Sequence, residues 1–276
     1  MKNLFYVYLI ILMVSLAFSG DISLQYKLEP GSSYKYKVDS SVKMVQEMMG
    51  QENVSDIKSD VLVTLTADSL KDETLFLHAV YEDFVIDVSS ARIDTTLSMQ
   101  DLLNKRIKVE MTKWGNTLDV ATIDTFPKTQ MMQGGSDPEQ LFYRFFPKLP
   151  VESVSQDGVW QITDPDTIET MGGKVVVTPD VEYTAMGTET WNGHECLKVK
   201  YVGDLTLEGE GSQQGFNFFM EGDGSVEGTY YFDAKQGVVV QIDNSSTQDV
   251  TIAITGQQNL TIPQSQVVSS KTVLVE

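Results

Sequence analysis

Two-residue alternation is the feature that most limits what this chain can become. In Arg106-Ile107-Lys108-Val109-Glu110-Met111-Thr112 every second side chain is apolar and those between are polar or charged. An extended strand with that pattern offers one face to a core and the other to water. The same rhythm places Tyr34, Tyr36 and Val38 on one side and Lys35 and Lys37 on the other. Residues 61–66 and 75–81 add the β-branched and aromatic enrichment of strands. Later segments read alike at 182–186, 196–202, 205–207, 216–220, 228–233, 238–242, 250–254 and 267–275. The turn signals between them are Lys113-Trp114-Gly115-Asn116, Asn192-Gly193, the glycine-rich stretches 209–215 and 222–224, and Lys235-Gln236-Gly237. The expected fold is mainly β: an antiparallel curved sheet, or half-barrels, with one or two short helices.

Asn-Gly is the preferred two-residue hairpin turn because both central positions need positive φ. Centred on Asn192-Gly193, the register pairs Trp191 with His194, Thr190 with Glu195, Glu189 with Cys196 and Thr188 with Leu197. Leu197, Val199 and Tyr201 then face the core, with His194, Cys196, Lys198 and Lys200 on the other side. Helical signals are few. Ser136, Pro138 and Glu139 start one candidate, Leu141, Phe142, Phe145 and Phe146 fall at helical spacing, and Pro147 stops it. A second short helix is expected over 98–105.

The first residues carry an address. Lys2 precedes an apolar run over 4–18, and Ala17-Phe18-Ser19 sets small residues where a signal peptidase reads. Cleavage before Gly20 implies an extracytoplasmic protein, periplasmic or secreted, with no stable membrane span afterwards. The domain reading is a signal peptide at 1–19, a β-rich half at 20–125, a helical connector at 126–151 and a second β-rich half at 152–276, forming one unit with the first. A single cysteine cannot form an internal disulfide, so stability rests on burial. The formal charge of −19 disfavours a nucleic-acid partner.

Several stretches resemble a family of uncharacterised exported bacterial β-rich proteins. Gly31-Ser-Ser-Tyr34-Lys-Tyr36 followed by Val45-Gln-Glu-Met-Met-Gly50-Gln51 resembles its opening strand and Met- and Gln-rich hairpin. The run from Leu103 to Gly115 resembles its second hairpin. Phe145-Phe-Pro147-Lys-Leu-Pro150 with Val159-Trp160 resembles its proline signature, and 228–237 its final hairpin. Gln156-Asp157-Gly158 stands where the family has Val-Gly-Asp. A more distant likeness joins 192–199 to the periplasmic lipoprotein-carrier superfamily. The resemblance implies fold and address, and no activity.

The pair His194 and Cys196 invites a catalytic or metal reading with His78, but Glu189 and Glu195 beside it favour a neutral thiol and a strand role. Leu207-Glu-Gly-Glu-Gly211 and Glu221-Gly-Asp-Gly-Ser225 lack the oxygen spacing of a calcium loop and read as solvated hairpin tips. No nucleophile elbow, zinc-helix motif or phosphate-cradling loop occurs. No catalytic residue, metal ligand or cofactor is therefore expected, and the chain reads as a non-enzyme. The connector supplies the candidate site: Met131, Met132, Phe142, Phe145 and Phe146, soft and aromatic side chains suited to a hydrophobic groove. The expected function is binding of a lipid or other apolar small molecule; the alternative is a structural or protein-interaction component of the cell envelope.

Overall fold

A computed structural model describes residues 21–48, 50–125, 138–170, 173–213, 216–256 and 259–275. The expected signal peptide lies outside the described residues. Thirteen strands form one sheet: β1 (Ser33–Met48), β2 (Gln51–Lys71), β3 (Thr74–Ser90), β4 (Asp94–Ser98), β5 (Arg106–Thr112), β6 (Thr117–Thr122), β7 (Val159–Ile162), β8 (Asp166–Thr170), β9 (Gly173–Trp191), β10 (His194–Gln213), β11 (Phe216–Asp233), β12 (Val238–Thr255) and β13 (Leu260–Leu274). Their order is β6-β5-β3-β2-β1-β13-β12-β11-β10-β9-β7, with β4 beside β3 and β8 beside β9, and every pairing is antiparallel. The first and last strands meet at the centre, Val38 opposite Thr272. The sheet is not closed, since β6 and β7 do not pair.

Alternation buries one face. Tyr36, Val63, Leu65, Leu77, Ile107 and Val109 from the first half join Val199, Tyr230, Phe232 and Val240 from the second in one core. The segment before β1 threads through it with Leu24, Tyr26 and Leu28 buried. Its backbone is fastened to both halves, Tyr26 N–H donating to the Lys113 carbonyl at 2.8 Å and Lys27 N–H to that of Gly237 at 3.0 Å. The outer face is a lattice of charge: Asp60, Asp39, Lys271, Asp243, Thr229 and Lys200 are cross-strand neighbours in one row. Lys37 there bridges Asp39 at 3.1 Å and Asp60 at 3.0 Å.

The Asn192-Gly193 hairpin has the expected register, with φ of 48° and 84° at its turn. Leu197, Val199 and Tyr201 are buried as expected. A bulge follows Leu197, so Leu197 faces Thr188 while Val199 faces Ala185, and Gly187 takes a φ of 93°. Contrary to expectation, Cys196 is as buried as Leu197.

Three further expectations are corrected. The helix expected up to Pro147 is a single 3-10 turn, Gln140–Arg144, and that over 98–105 shrinks to Gln100–Leu102. Too few residues lie between Pro138 and Pro147 to repay helix nucleation, and a 3-10 turn superposes positions three apart. Phe142 and Phe145 accordingly meet, their ring centroids 5.9 Å apart. The acidic glycine stretches are not tips: Leu207 pairs with Gly222 and Thr206 with Asp223 inside the long β10–β11 ladder. A Cβ at Gly203 would overlap the Asp180 carbonyl oxygen, and one at Gly222 the Asp249 carbonyl oxygen and the Val250 side chain. Glycine here lets backbones approach within strands.

Candidate functional site

The 3-10 segment is fixed on the core face by contacts from both sides. Tyr81 Oη donates to the Pro138 carbonyl at 2.7 Å, Tyr26 Oη to that of Pro147 at 2.9 Å, and Leu149 N–H to that of Trp114 at 2.8 Å. Gly115, with φ of 83°, is needed because a Cβ would strike the Pro147 carbonyl oxygen. Beneath, Phe145 meets Tyr36 edge-on at 5.2 Å, Phe146 meets Tyr26 at 5.1 Å, and Phe142 lies tilted against Tyr81 at 5.6 Å.

Of the residues singled out from sequence, Met131 and Met132 lie outside the described residues. Phe142, Phe145 and Phe146 are brought together and buried, at 0%, 5% and 5% exposure. Phe145 and Phe146 also border a cavity of about 440 Å³, within the usual size of a small-molecule site. Its walls come from distant strands. Val61 of β2 and Phe84 of β3 stand on one side, and Val181 and Tyr183 of β9 with Tyr201 of β10 on the other. Between them β1, β2, β12 and β13 contribute Ser40, Ser59, Asn244, Ser246, Gln248 and Ser270. Ser40 and Ser59 share a hydrogen bond of 2.7 Å. At the connector side, Lys148 Nζ lies 2.7 Å from Asp166 Oδ1.

Arg144 completes this wall. Its side chain remains open to water, yet burial among the surrounding atoms pulls the guanidinium below its ordinary value. The Asp166 carboxylate, already engaged by Lys148, offsets only part of that. Among the described residues Arg144 makes no ion pair or hydrogen bond. A partly desolvated cation without a counter-ion is costly, and it favours an anion that can share its donors. Sequence reasoning passed over Arg144; its one signal was a lone charge inside the apolar run Leu141-Phe142-Tyr143-Arg144-Phe145-Phe146.

The thiol and imidazole lie elsewhere, on the opposite face of β10. Burial first, then the Asp233 and Glu189 carboxylates, push the Cys196 thiol up to about 12. His194 Nδ1 is 3.0 Å from Asp233 Oδ2, a partner the sequence did not reveal. His78 is engaged with Asp68 at 2.8 Å. Among the described residues no three His, Cys, Asp or Glu side chains are placed to hold a metal ion.

No family model matches the sequence, and no curated protein does. Among solved structures, the chain is similar to OccK5 (OpdH) of Pseudomonas aeruginosa, at 6% identity and a TM-score of 0.29 over 89% of this chain and 99% of that one. It is similar to an outer-membrane channel of Pseudomonas putida F1, at 8% identity and 0.27 over 91% and 97%. It is also similar to OccK2 (OpdF) of Pseudomonas aeruginosa in complex with glucuronate, at 4% identity and 0.27 over 90% and 100%. These likenesses are too slight to carry a fold or an activity over to this chain. The Pseudomonas putida protein is an outer-membrane channel, not a periplasmic or secreted carrier. The periplasmic or secreted address, the absence of a membrane span, and the lipid or other apolar ligand are withdrawn. The cavity gives a physical reason for the ligand: amid its aliphatic and aromatic lining runs a polar strip of Ser40, Ser59, Asn244, Ser246, Gln248 and Ser270, which a wholly apolar molecule would cover without pairing.

Proposed function

We propose that the sheet rolls into an open half-barrel whose interior binds a small anionic solute, with Arg144 taking the acid group. In a flat sheet β3 and β10, six neighbours apart in the strand order, would be separated by about 29 Å. Phe84 and Tyr201 border one small cavity, which supports the rolled form. The observation that carries the ligand is the guanidinium of Arg144, without an ion pair or hydrogen bond among the described residues, beside a Lys148–Asp166 pair that neutralises itself. Binding rather than chemistry is supported by the protonated, buried Cys196.

Calorimetric titration of the full chain with small carboxylates and inorganic phosphate tests this. At least one anion binds, and Arg144→Gln weakens it by about tenfold or more, the worth of a charged hydrogen bond. Arg144→Lys keeps the charge and loses the planar fork, giving an intermediate affinity. Added salt weakens binding in the native chain. An absence of binding by every anion, or equal affinity in Arg144→Gln, refutes the proposal.

A further inference from the structure

We infer that the solute held at Arg144 is a polyhydroxy acid of sugar size, because the cavity that Arg144 borders also carries, amid apolar side chains, a strip of pre-oriented neutral donors on β12 and β13; this inference rests on the anion-binding reading above. The donors are oriented by a relay of side-chain amides. Gln46 Nε2 donates to Gln264 Oε1 at 2.6 Å, Gln264 Nε2 to Gln266 Oε1 at 3.5 Å, and Gln266 Nε2 to Gln248 Oε1 at 2.6 Å. Each amide oxygen downstream of Gln46 is thereby occupied, and the relay ends with Gln248 Nε2, which makes no hydrogen bond among the described residues, at the cavity wall. A second, independent contact does the same nearby: Tyr201 Oη donates to Asn244 Oδ1 at 2.9 Å, leaving Asn244 Nδ2 free. Ser246 and Ser270 add hydroxyls that make no other hydrogen bond among the described residues.

Amide nitrogens fixed by the bonds on their own oxygens seek acceptors, and a ligand meeting several of them must carry several oxygens. An alkyl or aryl acid would cover these donors without pairing them, at the cost of a desolvated polar group for each. A sugar acid supplies hydroxyl oxygens to the donors, a carboxylate to Arg144, and C–H faces to the rings of Phe84 and Tyr183 on the flanks.

The test compares four probes by calorimetry on the full chain: galacturonate, neutral galactose, cyclohexanecarboxylate (the same ring size and charge without hydroxyls) and inorganic phosphate. Galacturonate is expected to bind at least tenfold more tightly than each of the others. Ser270→Ala and Ser246→Ala are expected to weaken galacturonate about fivefold each while leaving cyclohexanecarboxylate unchanged, with near-ultraviolet dichroism checking that both variants fold. Cyclohexanecarboxylate binding as tightly as galacturonate, with both lost in Arg144→Gln, overturns the sugar-acid inference and leaves the anion site standing. Galactose matching galacturonate, or phosphate binding alone, overturns it as well. Binding of none of the four overturns both readings.

Discussion

His194 Nδ1 lies 3.0 Å from Asp233 Oδ2, and the carboxylate between them is almost fully buried at the end of the β10–β11 ladder. Burial alone would raise the Asp233 carboxyl. The Gln236 amide, the His194 imidazole and the Lys235 amide together outweigh burial and hold it below its ordinary value. The other carboxylate oxygen caps the turn into β12, since Lys235 and Gln236 N–H donate to Asp233 Oδ1 at 3.0 and 2.9 Å. A depressed folded value stabilises the fold at every pH above the unfolded carboxyl value of about 3.9. That contribution is lost as pH falls through the lower folded value. Asp233→Ala is expected to cost about 1–3 kcal/mol at neutral pH. The gap from the native chain should be narrower at about pH 2 than at neutral pH, because the contribution fades as pH falls toward the lowered folded value. Urea midpoints at the two pH values check this, and a gap that does not change with pH would reject the linkage.

Beside that pair, the Cys196 thiol offers a chemical readout of its burial. With its pKa pushed to about 12, first by burial and then by Asp233 and Glu189, its thiolate is scarce at neutral pH. Iodoacetamide should alkylate it about three orders of magnitude more slowly than a free cysteine of pKa about 8.5. In denaturant the rate should rise to that of the free thiol. Fast labelling of the folded chain would return Cys196 to consideration as a nucleophile.

How far the sequence could be read follows from the range of each interaction. Trp191, Asn192, Gly193 and His194 are neighbours, so turn chemistry fixed their register before any packing was known. The bulge after Leu197 involves the facing strand at Gly187 and Ala185, and the burial of Cys196 depends on packing that the local sequence does not show. Gly203, Gly222 and Gly224 look like turn residues in a window of ten. Only the facing strands reveal that they stand where a Cβ would collide. Arg144 and the relay from Gln46 to Gln264 were hidden for the same reason: those glutamines are 218 positions apart in the chain. Local alternation therefore revealed the strands, and the cavity needed their long-range pairing.

Phe142 separates core packing from ligand contact. It is wholly buried against Tyr81 and Phe145, and it does not border the cavity, whereas Phe145 and Phe146 do. Phe142→Ala should cost about 3–5 kcal/mol, the usual toll of removing a large ring from a close-packed core. Urea unfolding reads it as a lowered midpoint at unchanged slope. A cost under about 1 kcal/mol would mean that the ring sits in loosely filled space, against the packing described above.

Two glycines of β10 give a matched test of why glycine recurs inside these strands. A Cβ on Gly203 would overlap the Asp180 carbonyl oxygen and the Val181 Cα of β9, backbone atoms that cannot step aside. On Gly209 the nearest atoms would be the Met220 terminal methyl and Val175 Cγ2, both at 3.2 Å, side-chain atoms rather than backbone and in contact rather than overlap. Gly203→Ala is therefore expected to lose about 1–3 kcal/mol or more through forced separation of β9 and β10. Gly209→Ala should change stability by less than about 1 kcal/mol, because lost backbone entropy in the unfolded chain offsets a mild repacking. Thermal melts of the two variants decide the matter. Equal losses would show that the two positions need glycine for some reason other than the approach of the facing backbone, and a larger loss at Gly209 would reverse the assignment.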